Sequence, residues 1–189
     1  MGVNGSMVYL SPAPLYHAAA IGWCTTAQRL VAALDARPWA RRRAWVGGVL
    51  LDVAEEVSTQ CPEFRLAIIG RGSKLERTAR APARERGLLD RVVFFPGYFV
   101  GDEFPAVLRA LDVKVFLVPG TDGSARAVRE ALACGLPVVA TRRGILPELV
   151  RDGVNGYSVE ETAPALSSAL LELWRDPAKR KQMGDAARR

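Results

Sequence analysis

A chain of 189 residues and 20.5 kDa can build one well-buried domain and is too short for two large ones. Its 49% hydrophobic and 24% charged content excludes wholesale disorder, and no apolar run approaches the roughly 20 residues a spanning helix needs. The formal charge of +6 and pI near 9.6, carried mostly by arginine, favour anionic ligands: nucleotide phosphates, acidic lipid surfaces or nucleic acid.

Three cysteines (Cys24, Cys61 and Cys134) are too few and too scattered for a disulfide framework or a zinc knuckle. With His17 the only histidine, no metal site is expected, and a reducing cytoplasm is the expected compartment. The opening MGVNGSMVYLSPAP lacks a basic n-region and is broken by Pro12 and Pro14, so it makes a poor signal peptide. Met1-Gly2 with Ser6 matches a myristoylation pattern formally, but no polybasic segment follows closely.

In chain order, residues 7–11 read as a short strand. Residues 12–45 show no clear period and include a basic run at 37–43, with Arg41, Arg42 and Arg43 near Trp39 and Trp45. Segment 1–45 is therefore taken as an irregular N-terminal stretch, with the remnant of a first strand and a linker, and 46–189 as the domain. Val49, Leu50, Val53 and Val57 recur at helical spacing to about Thr59. Residues 64–69 form a compact apolar strand ending in Gly70-Arg71-Gly72-Ser73, and a basic helix over 74–87 follows, kinked or broken at Pro82.

Strand 91–95, closed by Pro96-Gly97, helix 103–111 and the apolar, β-branched strand 113–118 come next. Helix 125–134, strand 137–141, a turn around 146–150 and a strand near 157–159 complete the core. Two closing helices follow at 162–174 and 177–187, the second capped by Asp176 with Pro177 in its first turn. Strands of four to six apolar residues alternating with helices predict βαβ units and a parallel sheet, hence a Rossmann-like, doubly wound α/β domain. In such sheets ligands bind beyond the carboxyl ends of the strands, where loops 70–73, 96–98, 120–125 and 141–146 converge.

The most informative loop is Asp122-Gly123-Ser124-Ala125. Small residues let backbone N–H groups approach a ligand, and the helix that starts there favours an anion. Arg126 adds a charged donor for a phosphate; the plainer alternative makes Asp122 or Ser124 a helix cap. Eight residues after Asp122, Glu130 stands among alanine, valine and leucine between two buried strands, where a carboxylate needs a partner. Two ribose hydroxyls would satisfy it, and Arg126 or Arg129 is the structural alternative. Gly70-Arg71-Gly72 is half of a dinucleotide fingerprint or a strand-end turn. Phe95-Pro96-Gly97-Tyr98 is either a wall for a nucleobase or a core strand and turn.

These pieces occur in a recognisable order. RLAIIGRGS, DRVVFFPGY, DGSARAVREALACGLPVVAT and GILPELVRDGVNGY together resemble the C-terminal, donor-binding domain of retaining GT-B glycosyltransferases of the family-4 (group 1) type, over about residues 46–187. Such a chain is one half of a GT-B architecture. In that family an acidic residue, seven intervening residues and a Glu form a signature; here it is Asp122 and Glu130, with Asp in place of the commoner Glu. The resemblance implies that Glu130 holds the ribose of a UDP- or GDP-sugar and that Asp122 sits by the transferred sugar. Gly123, Ser124, Ala125 and Arg126 would touch sugar and diphosphate, and Phe95, Pro96 and Tyr98, with Gly70, Arg71 and Gly72 nearby, would border the nucleotide.

Family members transfer with retention, usually without a bound metal, and no cofactor is expected beyond the donor substrate. The implied acceptor is a glycan or lipid-linked intermediate, with peripheral contact at the inner face of a membrane and with the acceptor domain on a separate chain or a longer product. Two departures stand out. The family places an arginine after the domain's first strand and a lysine before its first helix; here Pro12 follows that strand, Trp45 falls near the lysine's place, and Arg41–Arg43 are the available substitutes. The acceptor-binding N-terminal domain also has no counterpart in these 189 residues. Two other readings remain: a catalytically incomplete fragment that only binds nucleotide, and a nucleic-acid module resting on the basic run alone.

Overall fold

The computed structural model describes residues 7–10, 39–72, 74–117 and 125–189, with side chains from residue 47 onward. Six parallel strands form one sheet in the order β3-β2-β1-β4-β5-β6: β1 (Met7–Leu10), β2 (Arg65–Ile69), β3 (Val93–Gly97), β4 (Val113–Phe116), β5 (Val138–Thr141) and β6 (Gly156–Val159). β1 lies in the middle, pairing Val8 with Leu66 on one side and with Val113 on the other. Strand order reverses between β1 and β4, and the crevice at that reversal is where sheets of this kind take their ligands.

Side-chain alternation divides the core into two layers. Leu66 and Ile68 of β2 and Val113 and Val115 of β4 face one layer; Ala67, Ile69 and Phe116 face the other. The first layer is closed by helix α1 (Trp39–Gln60) and helix α6 (Ala163–Arg175), which pack together and are tied by Ser167 Oγ donating to Glu56 Oε2 at 2.7 Å. The second is closed by α3 (Glu103–Arg109), α4 (Arg126–Ala133) and α5 (Leu146–Leu149). Helix α7 (Pro177–Ala187) starts at the expected cap, with Asp176 Oδ1 accepting from Lys179 N at 2.8 Å. Glu172 accepts from Lys179 Nζ and from the Tyr157 hydroxyl, both at 2.5 Å, joining α6, α7 and β6. These two donors hold its carboxyl below the usual range, so this clasp contributes above that range and is lost as pH falls through the lowered value.

Helix α1 begins at Trp39, ahead of the periodic stretch at 46–59, because the arginine run offers no apolar spacing to reveal it. The basic helix over 74–87 is divided. A π-helical turn, Glu76–Arg80, leads into the short α2 (Ala81–Glu85), with Pro82 in the first turn of α2. Proline has no N–H to return to the carbonyl four residues back, so the Thr78 carbonyl is left without its helical donor and the turn widens. That same Thr78 oxygen presses on Gly47 of α1, where a Cβ would collide with it, whereas a Cβ on neighbouring Gly48 meets nothing within 4 Å. Gly47→Ala is therefore expected to cost about 1–3 kcal/mol, and Gly48→Ala to gain about 0.5–1 kcal/mol, measured by denaturant unfolding.

Candidate functional site

The C-terminal ends of β2 and β3 are bound together, Gly70 N donating to Gly97 O at 2.8 Å. Gly97 (φ 106°) and Gly70 (φ 151°) adopt backbone angles that side-chain-bearing residues avoid, which lets the two strand ends close up at the sheet's rim. There the exposed Arg71 stacks on the Tyr98 ring, its Cζ 4.3 Å from the centroid. Phe95 goes elsewhere: half-buried, it packs on the first core layer with Arg80 over its ring at 5.2 Å. Of the expected base-bordering residues, Tyr98 and exposed Pro96 reach the rim, while the Phe95 ring belongs to the core.

Helix α4 begins with Ala125 at its cap position, which makes no side-chain cap hydrogen bond; the caps expected from Asp122 or Ser124 fall outside the described residues. The first-turn amides have no acceptor within the helix and give this end its positive character. Asp122, Gly123 and Ser124 themselves lie outside the described residues, as do the side chains of Arg41–Arg43 and Trp45. Residues 41–45 fall inside α1 rather than ahead of it, so Trp45 does not occupy a position before the first helix.

Glu130 lies one turn into α4, its side chain 23% exposed. The arginine partner weighed from the sequence is present: Arg126 Nε donates to Glu130 Oε1 at 2.8 Å, so the guanidinium expected to face phosphate rests on the carboxylate. Arg126 is itself 60% exposed, and a solvent-screened pair one helical turn apart is worth only about 0.3–0.5 kcal/mol. Glu130 Oε2 is enclosed and accepts no hydrogen bond among the described residues. One oxygen is thus held by a weak, displaceable partner and the other is shut inside.

Sequence reasoning passed over Lys114, whose strand was read simply as apolar. The side chain is completely buried on the Phe116 face of β4, with Nζ 5.9 Å from that ring's centroid. Burial pushes its ammonium well below lysine's usual value, and the Glu130 carboxylate offsets part of that shift. The signal was available: a charge in a strand buried on both faces is costly enough to need a reason.

Beyond β5, Arg142 Nε donates to Ser158 O at 2.9 Å and Arg143 pairs with Glu161, fixing the next loop of the rim. The GVNG motif is structural: buried Asn155 accepts from Arg151 N at 2.8 Å and donates to Leu149 O at 3.0 Å. Among the described residues no three His, Cys, Asp or Glu side chains gather as a metal site, and no helix is long and apolar enough to cross a membrane.

Comparison with known proteins gives this arrangement a family. The model of the glycosyl transferases group 1 family matches residues 45–176. The GDP-mannose-dependent alpha-(1-6)-phosphatidylinositol monomannoside mannosyltransferase of Mycolicibacterium smegmatis is 36% identical over 149 residues, 74% of this chain and 38% of that protein. The D-inositol 3-phosphate glycosyltransferase of Salinispora tropica is 39% identical over 122 residues, 62% of this chain and 25% of that protein. The chain thus spans well under half the length of these curated relatives.

Among solved structures, Anabaena Alr3699/HepE in complex with UDP and glucose superposes with a TM-score of 0.68 at 21% identity, covering 99% of this chain and 44% of that one. The C-terminal domain of a group 1 family glycosyl transferase (LpcC) from Francisella tularensis gives 0.67 at 20% identity, covering 97% and 82%. With the parallel Rossmann-like sheet, the reversal between β1 and β4 and the family match all in agreement, this chain belongs to the glycosyl transferases group 1 family and has the fold of the C-terminal domain of such an enzyme.

Proposed function

We propose that this domain binds a UDP- or GDP-sugar at the C-terminal edge of its sheet and presents it for transfer, with retention, to a glycan or lipid-linked acceptor. The observation that carries this reading is Glu130 at the ligand edge of α4, one oxygen held among the described residues by an exposed arginine. Ribose hydroxyls arriving there take the place of Arg126, and the freed guanidinium turns to the diphosphate beside the helix N-terminus. Asp122 lies by the transferred sugar, Gly123, Ser124 and Ala125 offer backbone amides, and Gly70, Arg71, Gly72 and Tyr98 border the nucleotide. The leaving diphosphate is stabilised by this fixed positive character, with no metal or cofactor in the reading. The relatives' printed names, one GDP-mannose-dependent, and a neighbour's complex with UDP and glucose support a nucleotide-sugar donor.

The acceptor half comes from another chain or a longer product, with the whole working in the cytoplasm at the inner face of a membrane. Calorimetry tests the donor seat. The unaltered chain is expected to bind UDP or GDP, and Glu130→Ala to weaken that binding by about 1–3 kcal/mol through lost charged hydrogen bonds. No heat with either nucleotide would overturn the reading. Sugar transfer after addition of an acceptor domain separates a working donor half from a fragment that only binds nucleotide.

A further inference from the structure

A π-helical turn is a rare way for a chain to leave a strand, and the one at Glu76–Arg80 stands between two arginine–aromatic stacks. Ahead of it, at the ligand rim, Arg71 lies on the Tyr98 ring with Cζ 4.3 Å from the centroid. At its last residue, half-buried Arg80 lies over Phe95 at 5.2 Å, against the first core layer. Phe95 belongs to β3 and Tyr98 follows the last residue of that strand, so one neighbour receives both arginines.

The chain between the two stacks is firmly held. Leu75, Ala79 and Ala83 pack on the first core layer, and Thr78 sends both its N–H and its hydroxyl to Lys74 O, at 2.9 and 2.8 Å. The turn is thereby tied to the rim loop. Ala81 N donates to Glu76 O, five residues back, so this turn encloses one residue more than an α-turn. Pro82 keeps it wide by having no N–H for the Thr78 carbonyl, and Gly47 of α1 gives that carbonyl room. Relaxation to a regular α-helix would rotate everything ahead of the turn by about 100° relative to α2. With Arg80 and Ala83 anchored in the core, Arg71 would then leave the Tyr98 ring.

We propose that Pro82 is a positioning residue for Arg71: by holding the π turn open, it lets Arg80 rest on the core while Arg71 is presented on Tyr98 at the nucleotide edge. The inference rests on the nucleotide seat proposed above. A guanidinium stacked on a ring keeps its planar fork of donors in one orientation, so less ordering is needed when a ligand arrives. Pro82 touches no ligand in this arrangement; it acts through the register of the helix that it interrupts.

Calorimetry on the full chain, with UDP or GDP according to which the unaltered protein binds, supplies the test. Pro82→Ala gives the helix its missing N–H and is expected to weaken the nucleotide about threefold while keeping the parental circular dichroism spectrum. Tyr98→Leu is expected to lose at least as much, and Pro82→Ala to add nothing in that background, because both changes remove the same presentation of Arg71. A proline with a merely structural role would lower affinity equally with or without the ring. Full affinity in Pro82→Ala, or a further loss when the two changes are combined, overturns the proposal. Arg71→Lys, at an exposed position where the fold is not at stake, keeps the charge and loses the planar stack. It is expected to show the same threefold loss, and full affinity there also overturns the proposal. The nucleotide seat fails separately, if Glu130→Ala leaves affinity unchanged; loss in Glu130→Ala with full affinity in Pro82→Ala sinks only the role of Pro82.

Discussion

Replacing Gly156 with valine should destabilise the domain by about 4 kcal/mol or more, enough to abolish a cooperative thermal transition. Gly156 opens β6 and pairs with Val138 of β5. A Cβ at this position would lie 2.8 Å from both Val138 N and Val138 C and closer still to the carbonyl oxygen, so the obstacle is main chain and not a side chain that can rotate away. The two strands cannot separate to relieve it. On one side Val138 N donates to Asn155 O at 3.2 Å; on the other Gly153 N donates to Gly156 O at 2.9 Å, which locks the turn feeding the strand. Asn155 in turn is fixed by its two hydrogen bonds to the backbone at 149 and 151. Circular dichroism melting of Gly156→Val beside Gly48→Ala makes the comparison internal: the same fold loses stability at one glycine and gains it at the other. A Gly156→Val protein melting with the parent would show that β5 and β6 do not approach as described.

Phe116→Ala is the second large effect, at about 3–5 kcal/mol. Phe116 has no exposed surface and fills the space between β4 and α4, against Val128 and its neighbours. Truncation leaves a void that the sheet is too rigid to close, since β4 is paired on both edges. In a chain of this length the loss corresponds to a fall of about 10 °C in melting temperature. The functional consequence is the more informative one. α4 carries Glu130, and Lys114 lies beside Phe116 on the same face, so a hollow floor should weaken nucleotide binding as well as stability. Phe116→Leu, which keeps most of the volume, should cost less than about 1.5 kcal/mol and largely retain binding. Denaturant unfolding and calorimetry on the two variants check both halves of the expectation.

The contrast between what could and could not be read in advance has physical causes. Strands β2, β4 and β5 announce themselves because a parallel sheet covered on both faces needs short unbroken runs of β-branched and aliphatic residues. The helix that carries Glu130 was legible for the same reason, lying between two such runs. The same criterion hid Lys114: one polar residue inside VKVFLV does not disturb an apolar average, and only the burial of both faces makes it conspicuous. The pairing of Glu130 with Arg126 was among the stated alternatives, but choosing it required knowing which helix face met solvent. Helix α1 began early because its first turns carry arginines rather than a hydrophobic stripe. The widened turn ahead of Pro82 is a response of the backbone to a missing donor, to which periodicity is blind. Phe95 went to the core and Tyr98 to the rim, a choice that strand alternation alone leaves undecided without a known register.

The central place of β1 also bears on how the molecule is made. Met7–Leu10 precedes the other described strands, yet one of its two edges is completed only by Val113–Phe116, synthesised after helices α1, α2 and α3 and after β2 and β3 have been added on the other side. Until then the nascent sheet offers a bare edge of unpaired amides and carbonyls, and its closure depends on a meeting distant in sequence. Translation speed and chaperone cover are therefore expected to affect the yield of this domain in a cell alongside its final stability.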